Sequence, residues 1–161
     1  MRALIVPERG AAPEPAEVAE PGPEPGRALV RVRAASLNPV DLAIAAGRFY
    51  LDVPDPPYVP GAEAAGEVVD SIAHATGTPV WCLAMTGSLA EVVSVPDEAV
   101  VPLPPDLGFP LAAGLGIAGL AGWMPVRERG ALLPGETVVV LGAGGAVGQV
   151  AIQAARHGGA A

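Results

Sequence analysis

The stretch from Leu132 to Gly159, LLPGETVVVLGAGGAVGQVAIQAARHGG, constrains the fold most. Pro134-Gly135 is a turn signal. Residues 137–141 form an unbroken β-branched and apolar run, which predicts a parallel strand covered on both faces. Residues 142–148 then lead into a helix. Its apolar positions Val147, Val150, Ala151, Ala154 and Ala155 recur at helical spacing, and Gly158-Gly159 supplies the stop. Glycines accept the φ > 0 of a tight turn and leave backbone N–H groups bare beside a helix N-terminus, whose partial positive charge favours an anion. Strand, glycine loop and helix in this order can hold a dinucleotide pyrophosphate. The strict G-x-G-x-x-G spacing is not met, because Val147 stands where the third glycine belongs. What fits is Ala143-x-Gly145-x-x-Gly148. The candidate cofactor-binding residues are therefore Ala143, Gly144, Gly145, Ala146, Val147 and Gly148. The competing reading is a tight strand-to-helix turn that binds nothing.

Upstream, residues 2–6 predict a short strand, and a Pro/Glu/Gly-rich surface loop with room for a little strand follows to Gly26. Residues 28–34 alternate, Val30 and Val32 against Arg31 and Arg33, as in a half-buried strand. Residues 38–47 carry the signals of one short helix: Asn38 as N-cap, Pro39 at the first helical position, Asp41 in the first turn, Gly47 as stop. Runs at residues 66–70, 80–83, 89–95 and 99–101, separated by turn residues, predict a small barrel-like β domain. Residues 111–129 are rich in Ala, Gly and Leu and read as two helical pieces broken near residues 114–116.

Several of these words resemble the medium-chain dehydrogenase/reductase superfamily, and more narrowly its zinc-independent quinone oxidoreductase branch. They are Pro134-Gly135-Glu136, the glycine loop, Gln153-Ala154-Ala155-Arg156, and upstream Leu37-Asn38-Pro39-Val40-Asp41 and Pro60-Gly61-Ala62-Glu63-Ala64-Ala65-Gly66, in the same order. The likeness covers nearly the whole chain. It implies a mainly β, GroES-like catalytic barrel domain over residues 1–125. Over residues 126–161 it implies the first β-α unit of a truncated Rossmann dinucleotide-binding domain. It also implies that the Asn38-Pro39 corner faces the nicotinamide end of the cleft, a role compatible with capping. The family's G-x-Y after the helix appears here as Gly47-Arg48-Phe49, so a substrate-binding phenol would have to come from Tyr50. Asn38 and Tyr50 are thus the candidate catalytic residues. Ala121 stands where relatives carry a threonine, which removes one possible hydroxyl contact to the cofactor.

Zinc-dependent members of the superfamily need thiol and imidazole ligands. Here Asn38 and Ala62 occupy two of the ligand positions, and the chain has one Cys and two His, so no metal is expected. His74 in a loop and His157 at a helix C-terminus read as structurally neutral, and no Ser-His-Asp set is recognisable. An enzyme without a metal would pass a hydride from a nicotinamide cofactor to an acceptor that is already electron-poor, a quinone or an α,β-unsaturated carbonyl. The expected cofactor is NADP, with NAD left open. The position that discriminates them lies about 20 residues beyond the glycine loop. An enoyl reductase of the same superfamily and a non-catalytic β-barrel interaction module left by truncation are the alternatives. The isolated chain is expected to be inactive, and a full-length form to be a homodimer.

A net charge of -8 argues against nucleic acid or an anionic membrane as partner. No run of about 18 apolar residues is free of Pro, Gly and charge. The N-terminus MRALIVPERG is charged too early for a signal peptide. The single cysteine, Cys82 within Val80-Trp81-Cys82-Leu83, reads as a buried structural thiol and fits a reducing, cytoplasmic setting.

Overall fold

The computed structural model describes residues 1–50 and 54–161. Two compact units divide it, Met1–Ala113 and Gly114–Ala161.

The first unit is built on an open, antiparallel five-stranded sheet of order β6-β3-β4-β5-β7. Its centre is β3 (Arg27–Ala35), paired with β4 (Glu63–Asp70) on one side and β6 (Val92–Pro96) on the other. The alternation seen in the sequence holds from Arg31 onward, whereas Ala28, Leu29 and Val30 are all buried. β5 (Pro79–Leu83) joins β4 to the short edge strand β7 (Val100–Pro102). The core between these strands is Ala28, Val30, Ala64, Val68, Val80, Cys82, Val93, Val95 and Val100. Each fully buried Val is worth about 1.5–3 kcal/mol, so this one cluster accounts for a large part of the unit's stability.

Two strands depart from the sequence reading. β4 starts at Glu63 rather than at Gly66. Gly66 instead lies inside the strand, where β3 crowds it: a Cβ there would collide with the Arg31 carbonyl oxygen beside a register shift between Val32 and Ala34. β6 starts later than expected. Residues 89–91 are drawn to β1 (Arg2–Ile5), with Leu4 N–H donating to Leu89 O at 2.9 Å and Glu91 N–H to Arg2 O at 3.1 Å. β1 lies where the first strand is expected and pairs with β2 (Glu14–Glu17), the little strand of the Pro/Glu/Gly-rich segment, as a separate two-stranded ribbon.

α1 (Pro39–Ala45) forms where its signals predicted, with Asn38 as N-cap. α2 (Phe109–Leu115) and α3 (Ile117–Met124) are the two expected helical pieces, broken at Gly116. α3 belongs with α4 (Ala146–His157) in the second unit. Gly122 allows that packing, since a Cβ on it would meet the Val147 carbonyl oxygen at 2.6 Å and Val150 Cβ at 2.8 Å.

The strand predicted at residues 137–141 does not form. Val138 and Val140 are half-buried beside α4, while Val139 is 80% and Leu141 91% exposed. The period of two survives, but a strand exists only through hydrogen bonds to a neighbour, and the second unit contains no other strand among the described residues. No single helix among those residues is long and apolar enough to cross a membrane.

Candidate functional site

In the first unit the candidate site is built around a buried carboxylate. Glu63, the first residue of β4, is 0% exposed. An ionised group so placed costs several kcal/mol unless donors surround it. Three donors converge on it from three directions. Ser36 Oγ, just past β3, donates to Oε1 at 2.5 Å, and Asn38 Nδ2, at the head of α1, donates to the same oxygen at 2.7 Å. Trp81 Nε1, on β5, donates to Oε2 at 2.8 Å. Asn38 Nδ2 also donates to Ser36 Oγ at 2.8 Å. The carbonyl of Ala62 accepts from Ala84 N–H (2.7 Å) and Met85 N–H (2.9 Å), which pins the residue ahead of Glu63 and leaves Met85 at φ 61.

Asn38 itself is held by α1. Its backbone N–H donates to Asp41 Oδ2 at 2.6 Å, and Asp41 N–H donates back to Asn38 O at 3.0 Å. Asp41 is 7% exposed, so this clasp is shielded from water. The sequence reading found Asn38 and Asp41 but assigned nothing to Glu63, Ser36 or Trp81. The available signal was a lone acidic residue in Pro60-Gly61-Ala62-Glu63-Ala64-Ala65-Gly66, a run otherwise small and apolar.

Tyr50 is not brought to this cluster. The residue is 87% exposed, and its ring lies tilted at 47° against Phe49, 4.6 Å between centroids. Leu51, Asp52 and Val53, next to it, lie outside the described residues.

The donor set around Glu63 is one carboxylate, one amide, one hydroxyl and one indole, which suits hydrogen bonding and not zinc. Cys82 follows Trp81 on β5 but lies in the core, where burial pushes its thiol up to about 12. Among the described residues no three His, Cys, Asp or Glu side chains lie together as a metal cluster. The fold does gather one Ser, one His and one Asp elsewhere. Ser71 Oγ donates to Asp97 Oδ1 at 2.6 Å and accepts the N–H groups of Ala73 and His74 at 3.0 Å, while His74 Nε2 faces the Asp97 carbonyl at 3.1 Å. The imidazole does not touch the hydroxyl, so the group is a loop clamp and not a nucleophile with its base.

In the second unit the glycine loop precedes α4 as predicted. Gly142 has φ +73 and supplies the turn. Gly145 is the N-cap of α4, and its N–H donates to Gly142 O at 3.0 Å. Gln149 Nε2 ties the loop down through Ala143 O at 2.8 Å. A Cβ on Gly144 would meet nothing within 4 Å, and one on Gly145 only Gly142 O at 3.5 Å. The backbone here borders open space ahead of a helix N-terminus, which fits a pyrophosphate. Gly148 behaves differently. It is buried, and a Cβ on it would collide with the Gly142 carbonyl oxygen, so its smallness serves the closure of the loop on the helix. Ala146 and Val147 open the helix, both exposed.

Residues 24–105 match the alcohol dehydrogenase GroES-like domain. The chain is 35% identical over 98% of its length to a quinone oxidoreductase of Mus musculus, and it spans about half (50%) of that relative. A probable oxidoreductase from Mycobacterium abscessus superposes with a TM-score of 0.92 at 33% identity, covering 99% of this chain and 53% of the other. The quinone oxidoreductase of Thermus thermophilus, whose structure includes a complex with NADPH, superposes with a TM-score of 0.86 at 34% identity, covering 99% and 51%.

Proposed function

The chain belongs to the alcohol dehydrogenase GroES-like family, within the medium-chain dehydrogenase/reductase superfamily. From that premise we propose that it serves an NAD(P)H-dependent oxidoreductase that reduces a quinone or an α,β-unsaturated carbonyl without a metal. The observation that carries this reading is the open glycine loop ahead of α4, in a chain 35% identical to a quinone oxidoreductase. A bound nicotinamide cofactor, NADP in this proposal, supplies the hydride. Ala143, Gly144 and Gly145 present bare backbone to its pyrophosphate, and Ala146 and Val147 begin the helix whose N-terminal dipole favours that charge. Asn38, clasped by Asp41 and turned on Glu63, marks the reaction side of the first unit, and Tyr50 is free to meet a substrate from its exposed loop. The donor chemistry around Glu63 supports a reaction with no Lewis acid, which in turn supports acceptors activated by their own conjugation.

The test is a titration of NADPH into this chain extended by the remainder of a quinone oxidoreductase relative, followed by a panel of quinones, enones and enoyl thioesters. A nucleotide-dependent signal is expected, and Gly145→Val is expected to weaken it at least about tenfold, close to 1.4 kcal/mol. Unchanged affinity in Gly145→Val would show that the loop is only a turn. Preference for enoyl thioesters over quinones would move the substrate class.

A further inference from the structure

We infer that Glu63 is a positioning residue that sets which way the Asn38 carboxamide faces, leaving Asn38 able to accept a hydrogen bond from a bound molecule but not to donate one. The indole N–H of Trp81 can only donate, so Oε2 of Glu63 is an acceptor at 2.8 Å. Oε1 receives the Ser36 hydroxyl, which commits that proton. The Asn38 amide group that meets Oε1 at 2.7 Å and Ser36 Oγ at 2.8 Å must therefore carry hydrogens toward both. A reversed amide would press its carbonyl oxygen against two acceptors at those distances, with no proton between them. An amide nitrogen has two hydrogens, and this arrangement engages both.

What remains to Asn38 is Oδ1, an acceptor. It can receive an N–H or O–H, from the head of α1 or from a bound molecule, but it cannot polarise the carbonyl of a hydride acceptor. Within the proposed reaction any such polarisation must come from another group. That consequence rests on the proposed function; the amide orientation does not. Glutamine at position 63 would offer one acceptor oxygen where the cluster needs two, and Asn38 would be released to turn over.

Asn38 is the sole asparagine of the chain, beside two glutamines, so its side-chain NH2 signals can be assigned in a 13C,15N-labelled sample of the unmutated protein. Slow solvent exchange of that pair is expected, together with a cross-hydrogen-bond coupling between Asn38 Nδ2 and the Glu63 carboxyl carbon. Glu63→Gln should speed exchange of the proton that faces position 63 at least about tenfold, as loss of a charge-assisted hydrogen bond implies, whereas Ser36→Ala, which removes only the partner of the other proton and keeps the carboxylate, should leave that proton slow. Retained protection in a folded Glu63→Gln, or equal loss in Ser36→Ala, would overturn the inference. If Glu63→Gln does not fold, the coupling in the unmutated chain decides, and its absence counts against the orientation. These spectra need no cofactor or substrate, so a failure of the proposed reaction would leave them unchanged.

Discussion

Cys82 and Trp81 are neighbours on β5 with opposite fates, because successive strand residues face opposite sides. Trp81 reaches Glu63 and Cys82 enters the core, where burial lifts its thiol from an ordinary 9.0 to about 12. The folded chain therefore holds a proton that the unfolded chain releases from about pH 9 upward. Stability is full below pH 9 and falls as pH rises toward 12, by a total on the order of 4 kcal/mol. Denaturant unfolding at stepped pH should show this decline, and Cys82→Ala should flatten it; an unchanged slope in the variant would assign the decline to other groups. Thiol reagents should react with Cys82 only on unfolding. The buried reading of this residue was available from its apolar neighbours. The Asn38–Glu63 bond was not, because the partners lie 25 residues apart and only strand register brings them together.

At the level of elements, α1 and α4 formed because each carries its own start and stop. For α4 the two glycines of its first turn separate binding from folding. Gly148→Val should destabilise the second unit by about 1–3 kcal/mol, since the new side chain would overpack against the Gly142 carbonyl. Gly145 has φ -79 and ψ 164, a backbone open to any residue, and its replacement should leave the unit folded. Amide exchange within α4 can compare the two. Equal protection in both variants would mean that the buried contact at Gly148 carries no weight. Residues 137–141 show the limit of local patterning. Their composition suits a central strand, but a ladder needs a second strand, and the unit has none among its described residues. Their amides should exchange near the unprotected rate, and slow exchange there would contradict the arrangement described above.

At the scale of the molecule, the chain spans about half the length of the curated relatives it matches. In doubly wound folds the dinucleotide lies across the carboxyl ends of several parallel strands, and Gly114–Ala161 offers a loop and helices without them. We therefore predict that the 161-residue chain oxidises NADPH with a quinone at under about 1% of the rate of a chain extended by the remainder of a quinone oxidoreductase relative. Matching rates would show that the glycine loop and α4 suffice.

The sequence by itself determined whatever depends on near neighbours: the helix signals at Asn38, Pro39 and Gly47, the alternation in β3, the glycine turn, and the family wording. Capping, turns and periodicity act over a few residues, so they can be read before folding. Only the tertiary structure decided that Glu63 is the residue on which Ser36, Asn38 and Trp81 converge, that Tyr50 stands apart from them, and that residues 137–141 lack a sheet. Each of these depends on which distant backbone segments lie side by side, and hydrogen bonds between segments far apart in sequence leave no local period to detect.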